Sequence, residues 1–145
     1  MENKIKVGII GGAGYTGGEL IRLLVNHPAV DVAAIHSKSN AGNAVSAVHG
    51  DLVGETSLFF SSDDSFLKNG SVDVLFLCVG HGDAKKFLAE NEVNSKTKII
   101  DLSQDFRLKA NDTFNERQFV YGLPELNKAT IIRASEEEIG LHIQF

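Results

Sequence analysis

VGIIGGAGYTGGEL, residues 7–20, is the stretch on which the fold turns. An apolar β-type run ends at Ile10. Five of the eight residues from Gly11 to Gly18 are glycine, and an apolar pattern at helical spacing follows with Leu20, Leu23 and Leu24. Glycine lets a chain reverse sharply and lets backbone N–H groups approach an anion with no Cβ in the way. A helix that starts at such a turn offers the anion its unpaired N–H groups and the positive end of its dipole. Two registers fit: Gly12-x-Gly14-x-x-Gly17, the common dinucleotide fingerprint, and Gly11-x-x-Gly14-x-x-Gly17, with one more loop residue. The second is preferred, because Gly11 follows the strand directly. The pattern makes Gly11, Gly12, Ala13, Gly14, Tyr15, Thr16 and Gly17 candidate cofactor-binding residues. A tight strand-to-helix turn with no ligand is the plainer alternative.

The flanking sequence supplies the context that such a motif requires. KIKVGII (4–10), VDVAAIH (30–36), VDVLFLCV (72–79) and KTKIIDL (96–102) read as strands, the third nearly all apolar, as a strand covered on both faces is. The helix after the glycines stops at Asn26-His27-Pro28, since proline cannot continue it. GDAKKFLAEN (82–91) reads as a second helix, with Asp83 as its N-cap and Ala84, Phe87 and Leu88 on one face. Weaker signals suggest a strand near Leu58–Phe60 and a short helix near Asp63–Lys68, and periodicity fades beyond residue 103. Strands alternating with helices predict an α/β fold, a doubly wound, mostly parallel Rossmann-type sheet.

Composition narrows the function classes. Hydrophobic content of 43% and charge of 23% suit a globular domain, and 145 residues allow one full domain. A net charge of -5 without a basic stripe argues against nucleic acid as a partner. The longest apolar run, VLFLCV at 74–79, is far short of a membrane span. One cysteine, Cys78, permits no intrachain disulfide, and no secretory signal pattern opens the chain, so a cytoplasmic location is expected.

The nucleotide is read at the end of the second strand. NAD sites place an Asp or Glu about 20 residues past the glycines to hold the ribose 2′-OH. IHSKSN (35–40) has no acid. Ser37, Lys38 and Ser39 suit a 2′-phosphate, with His36 adding charge, which predicts NADP (NADPH); a solvated lysine among serines is the bland alternative. Gly80, His81 and Gly82 follow the third strand and Ser103 follows the fourth. Ligands bind at those carboxyl ends, so these residues are expected to line the cofactor, the alternative for His81 being a plain loop histidine whose flanking glycines matter more. Asp105 and Arg107 read equally as loop residues of a site or as a local ion pair. Cys78 sits in an apolar strand, where a thiol is inert. His27, His36, His49 and His142 lack metal-ligand spacing, and no metal site is expected.

Five ordered stretches, GIIGGAGYTGGELIRLL, HSKSNAGN, VLFLCVGHGDAKKFL, IIDLSQDFRL and YGLPELN, resemble N-acetyl-γ-glutamyl-phosphate reductase over roughly residues 4–128. The glycine turn is shared with the wider semialdehyde dehydrogenase superfamily; DLSQDFR and YGLPELN point to the reductase. The resemblance implies NADPH-dependent reduction of an acyl phosphate to an aldehyde, in arginine biosynthesis. A cysteine thiolate and a histidine acid/base carry that chemistry, with a second substrate and dimerisation domain and assembly as a homo-oligomer.

The family's nucleophile lies in an Asn-Pro-Gly-Cys motif shortly after YGLPELN. Here the chain runs KATIIRASEEEIGLHIQF (128–145), and the motif does not occur. The expectation is therefore an NADP-binding domain over 1–128 and an atypical tail over 129–145, truncated before the nucleophile, without the second domain. No catalytic residue is assigned, and the chain alone is expected to be inactive. A free-standing, non-catalytic dinucleotide-binding module is the alternative.

Overall fold

The computed structural model describes residues 3–108, 112–136 and 140–144. Seven strands form one sheet in the order β2-β1-β3-β4-β7-β6-β5, parallel throughout except for the β5–β6 pair. The strands are β1 Ile5–Ile10, β2 Val30–His36, β3 Val74–Leu77, β4 Lys98–Asp101, β5 Thr113–Phe114, β6 Arg117–Tyr121 and β7 Leu141–Gln144. The longer helices are α1 Tyr15–Leu24, α4 Asp83–Glu90 and α5 Pro124–Glu136. Two single turns, α2 Val45–Val48 and α3 Phe66–Asn69, lie between β2 and β3. The predicted α/β, mostly parallel architecture is the one observed.

Side-chain alternation in β1 explains the two-sided core. Val7 and Ile9 pack on one face with Ile21, Val32, Ile35, Val45, Leu52 and Phe60. Ile10 faces the other way, among Phe66, Leu75, Leu77, Leu88, Ile99 and Phe106. A strand buried on both sides needs no polar face, which is why its sequence is nearly all apolar. Gly8 has no side chain because a Cβ there would lie 2.8 Å from the Phe66 ring.

Four local expectations are corrected. The fully buried side of α1 is Gly17, Gly18 and Ile21; Leu20 and Leu24 pack half-buried against the same core, while Leu23, expected on that face, is exposed. The N-cap of α4 is Gly82, in the left-handed region, and Asp83 is the first helical residue. The third strand ends at Leu77, so Cys78 starts the loop after it. Near Leu58–Phe60 no strand forms; the segment makes isolated bridges, Phe59 with Ala44 and Ser61 with His36.

The end of the chain is built into the sheet. Residue 128 lies within α5, and β7 runs parallel between β4 and β6. Of the stretch 129–145, residues 137–139 and 145 lie outside the described residues. Gly122 N–H donates to the Gln144 carbonyl at 2.6 Å, and Asn127 Nδ2 donates to the Tyr121 carbonyl at 3.0 Å, which shapes the YGLPELN turn.

Candidate functional site

From β1 the chain passes to β2 on one side, then returns to β3 on the other, so the strand order reverses between β1 and β3. In open parallel sheets the crevice beyond the carboxyl ends at such a point receives ligands. The glycine turn leaves β1 there, and Gly80-His81-Gly82 leaves β3 beside it.

The fold itself dictates two of the three fingerprint glycines. Gly11 has φ +79°, and a Cβ on it would fall 2.2 Å from the Cys78 carbonyl oxygen. A Cβ on Gly17 would lie 2.6 Å from the Gly11 carbonyl oxygen and 2.7 Å from Gly12 Cα. Gly14 differs: its φ is −79°, and the nearest atom to a Cβ would be 3.9 Å away. Nothing within the chain requires glycine at position 14. Gly12 is also required internally, with Ile35 Cγ2 2.3 Å from its Cβ position.

The two helices beginning at this crevice end differently. Asp105 closes α4: its Oδ1 accepts from Gly82 N–H at 2.6 Å and its Oδ2 from Lys85 N–H at 3.0 Å. This assigns the Asp105 carboxylate to a helix cap that also fastens two loops together. At α1 no side chain caps the N-terminus and no acid lies in the first turn. That helix end keeps its affinity for an external anion.

Contacts link most of the expected site residues into one rim. Gly11 and Gly12 N–H both donate to the His36 carbonyl, at 3.2 and 3.4 Å, which brings Ser37, Lys38 and Ser39 next to the glycine turn. Gly11 touches Cys78, from which Gly80, His81 and Gly82 follow. Tyr15, Thr16, Lys38, Ser39 and His81 are exposed, and Ala13 is half-buried. Ser37 is buried and donates from its N–H to the Ser61 carbonyl at 3.0 Å. Asn40 Nδ2 lies 3.4 Å from Ser37 Oγ and 3.2 Å from Ser39 Oγ, holding the loop. Ser103 stands apart: it is wholly buried, its hydroxyl donating to Asp101 Oδ2 at 2.7 Å and accepting from Asp105 N–H at 3.1 Å.

Electrostatics revise the reading of His36 and agree with that of Cys78. Burial, then the nearby Lys38, lowers the pKa of His36, so it is a neutral ring at the end of β2 and not an added charge. Its Nε2 is buried without a partner. The Cys78 thiol is pushed up to about 12, chiefly by burial and then by Asp101, which leaves it protonated and inert at neutral pH. Among the described residues no group of His, Cys, Asp and Glu is arranged to hold a metal ion, and no helix is long and apolar enough to cross a membrane. Sequence reading missed His49, whose Nε2 lies 2.7 Å from the Gly12 carbonyl; 37 positions separate the two, and no local pattern signals the pairing.

A glycine cradle at the switch point, an uncapped helix behind it and a β2 end free of acids define a dinucleotide-binding domain. Residues 6–134 match the family described as semialdehyde dehydrogenase, NAD binding domain, and the chain belongs to that family of oxidoreductases. The chain is 55% identical over 127 residues to an N-acetyl-γ-glutamyl-phosphate reductase of Phocaeicola vulgatus, covering 88% of this chain and 37% of that protein. It is 51% identical over 131 residues to the reductase of the same name from Christiangramia forsetii, covering 90% and 38%. The chain thus spans less than two fifths of the length of these curated relatives. Among solved structures, aspartate semialdehyde dehydrogenase from Francisella tularensis superposes with a TM-score of 0.63 at 22% identity, over 97% of this chain and 36% of that one. The same enzyme from Candida albicans gives 0.62 at 16%, over 97% and 42%. These two likenesses establish the fold.

Proposed function

We propose that this chain is the NADP(H)-binding part of a reductase that converts N-acetyl-γ-glutamyl phosphate to the corresponding semialdehyde. The observation that carries the cofactor reading is Gly14, a glycine that no neighbouring atom requires, at an uncapped helix terminus. The cofactor's pyrophosphate fits that cradle. Within the Gly11 to Gly17 turn, the backbone N–H groups of Ala13, Tyr15, Thr16 and Gly17 would hold it, with α1 adding its dipole, while the Gly11 and Gly12 N–H groups brace the turn against His36. The preference for the phosphorylated cofactor rests on Ser37, Lys38 and Ser39, since a carboxylate at that position would repel a 2′-phosphate and none is present. His81 and the glycines beside it would line the path toward the nicotinamide. Ser103, turned inward onto Asp101, would support that edge without a direct contact.

When bound, reduced nicotinamide supplies hydride; this chain's own residues bind, orient and shield it. The substrate reading rests on the 51–55% identity to reductases of that name. The 145 residues contain no Asn-Pro-Gly-Cys, and Cys78 is protonated and half-buried. The chain by itself therefore binds cofactor without turning over, and the whole enzyme's homo-oligomeric assembly and cytoplasmic location belong to the same reading. A chimera tests it: residues 4–128 replace the matching part of the Phocaeicola vulgatus reductase. NADPH-dependent activity in the chimera is expected. A folded chimera that binds NADPH but does not reduce the acyl phosphate would favour a free-standing dinucleotide module.

A further inference from the structure

We infer that His49 is a positioning residue for the dinucleotide site, acting through the Gly12 peptide; this rests on the cofactor reading above. Its Nε2 lies 2.7 Å from the Gly12 carbonyl oxygen. A carbonyl only accepts, so His49 donates, and its Nε2 carries the hydrogen. The ring is held in that pose from three sides. A Cβ on Gly18 would lie 2.5 Å from the ring, so only glycine admits it against α1. Phe60 meets it edge-on, with centroids 6.2 Å apart at 62°. Its own backbone is fixed at the end of α2, with His49 N–H donating to the Val45 carbonyl at 2.9 Å and its carbonyl accepting from Leu52 N–H at 3.0 Å.

The consequence follows from peptide geometry. A trans peptide is planar, so the carbonyl of one residue and the N–H of the next point opposite ways. Drawing the Gly12 carbonyl toward His49 turns the Ala13 N–H away from His49, toward the outer side of the turn. The Gly12 N–H is tied to His36, which fixes the other side of the same residue. Glycine has the loosest backbone of any residue, so an untethered Gly11-Gly12 pair would sample several orientations. His49 selects one and prepares the loop for a pyrophosphate before it arrives. Preorganisation of this kind appears as affinity.

Calorimetric titrations of the chain with NADPH and with adenosine 2′-monophosphate, which lacks the pyrophosphate, test this on wild type, His49→Gln and His49→Asn. Glutamine reaches as far as Nε2 and keeps a donor; asparagine is too short. His49→Asn is expected to weaken NADPH on the order of tenfold, as loss of one oriented hydrogen bond implies. It should leave adenosine 2′-monophosphate within about twofold, and His49→Gln should restore NADPH affinity. His49→Asn binding NADPH as wild type does, or losing both ligands equally, overturns the inference. If the wild-type chain binds no NADPH, the cofactor reading falls and this one with it.

Discussion

Gln144 donates from Nε2 to the Ser103 carbonyl at 2.5 Å and to the Asp101 carbonyl at 2.9 Å, while its Oε1 accepts from Phe106 N–H at 2.8 Å. One wholly buried side chain on β7 thus satisfies three backbone groups at the end of β4 and in the loop after it. Beside it the Asp101 carboxyl, its pKa raised by burial, takes both the N–H and the hydroxyl of Ser103. Gln144→Leu keeps the bulk and strands all three groups. Each unsatisfied buried group costs about 1–3 kcal/mol, so a loss of 3 kcal/mol or more in chemical denaturation is expected. A loss under about 1 kcal/mol would show that water replaces the amide.

Glycine substitutions separate fold from ligand. Gly14→Ala meets only the Gly11 carbonyl oxygen, at an unstrained 3.9 Å, so its stability cost stays below about 1 kcal/mol, the ordinary cost of alanine at an N-cap. NADPH affinity should nonetheless fall tenfold or more. Gly17→Ala forces a Cβ into the Gly11–Gly12 backbone and should destabilise by about 1–3 kcal/mol. Thermal unfolding and NADPH titration of both variants decide it; equal effects on stability would mean that Gly14 serves the fold alone.

Lys38 is exposed at the end of β2 and carries the charge of the predicted 2′-phosphate reader. Lys38→Glu should cost NADPH at least tenfold, removing an attraction and adding a repulsion, while NADH is unchanged or improved. Parallel loss of both cofactors would remove Lys38 from any role in selectivity.

His142 gives a pH dependence of definite sign. Burial, then Arg117 and Lys98, lowers its pKa to about 3, and its Nδ1 accepts from Ile99 N–H at 2.9 Å. Unfolded histidine titrates near 6.5, so between about pH 6.5 and 3 the unfolded chain binds the extra proton and stability falls on acidification. Linkage puts the loss at about 2 kcal/mol by pH 5. Asp101 has a raised pKa and so the opposite sign, which offsets part of this at the acid end of the window. His142→Asn keeps an acceptor for Ile99 and should flatten the unfolding temperature between pH 7 and pH 5. An unchanged slope would assign the acid sensitivity elsewhere.

What the sequence disclosed follows the range of the interactions. The β1–turn–α1 unit was legible because its signals are local: β-branched residues, then glycines, then helical spacing ending at Pro28. VDVAAIH matched β2 from end to end for the same reason. Beyond residue 103 the elements depend on distant partners. β7 has no strand pattern of its own strong enough to announce an interior position, and it is held by β4 and β6. Asp105 and His49 were opaque for the same cause, since each acts on a backbone more than twenty positions away. Gly14 was visible as part of a motif, but only the structure separates it from Gly11 and Gly17, whose glycines the fold already demands.

The most direct test of the central claim is a calorimetric titration of this chain with NADPH beside one with NADH. Saturable binding of NADPH, at least tenfold tighter than NADH, is the predicted result. Binding of neither, or NADH held as tightly as NADPH, would contradict it.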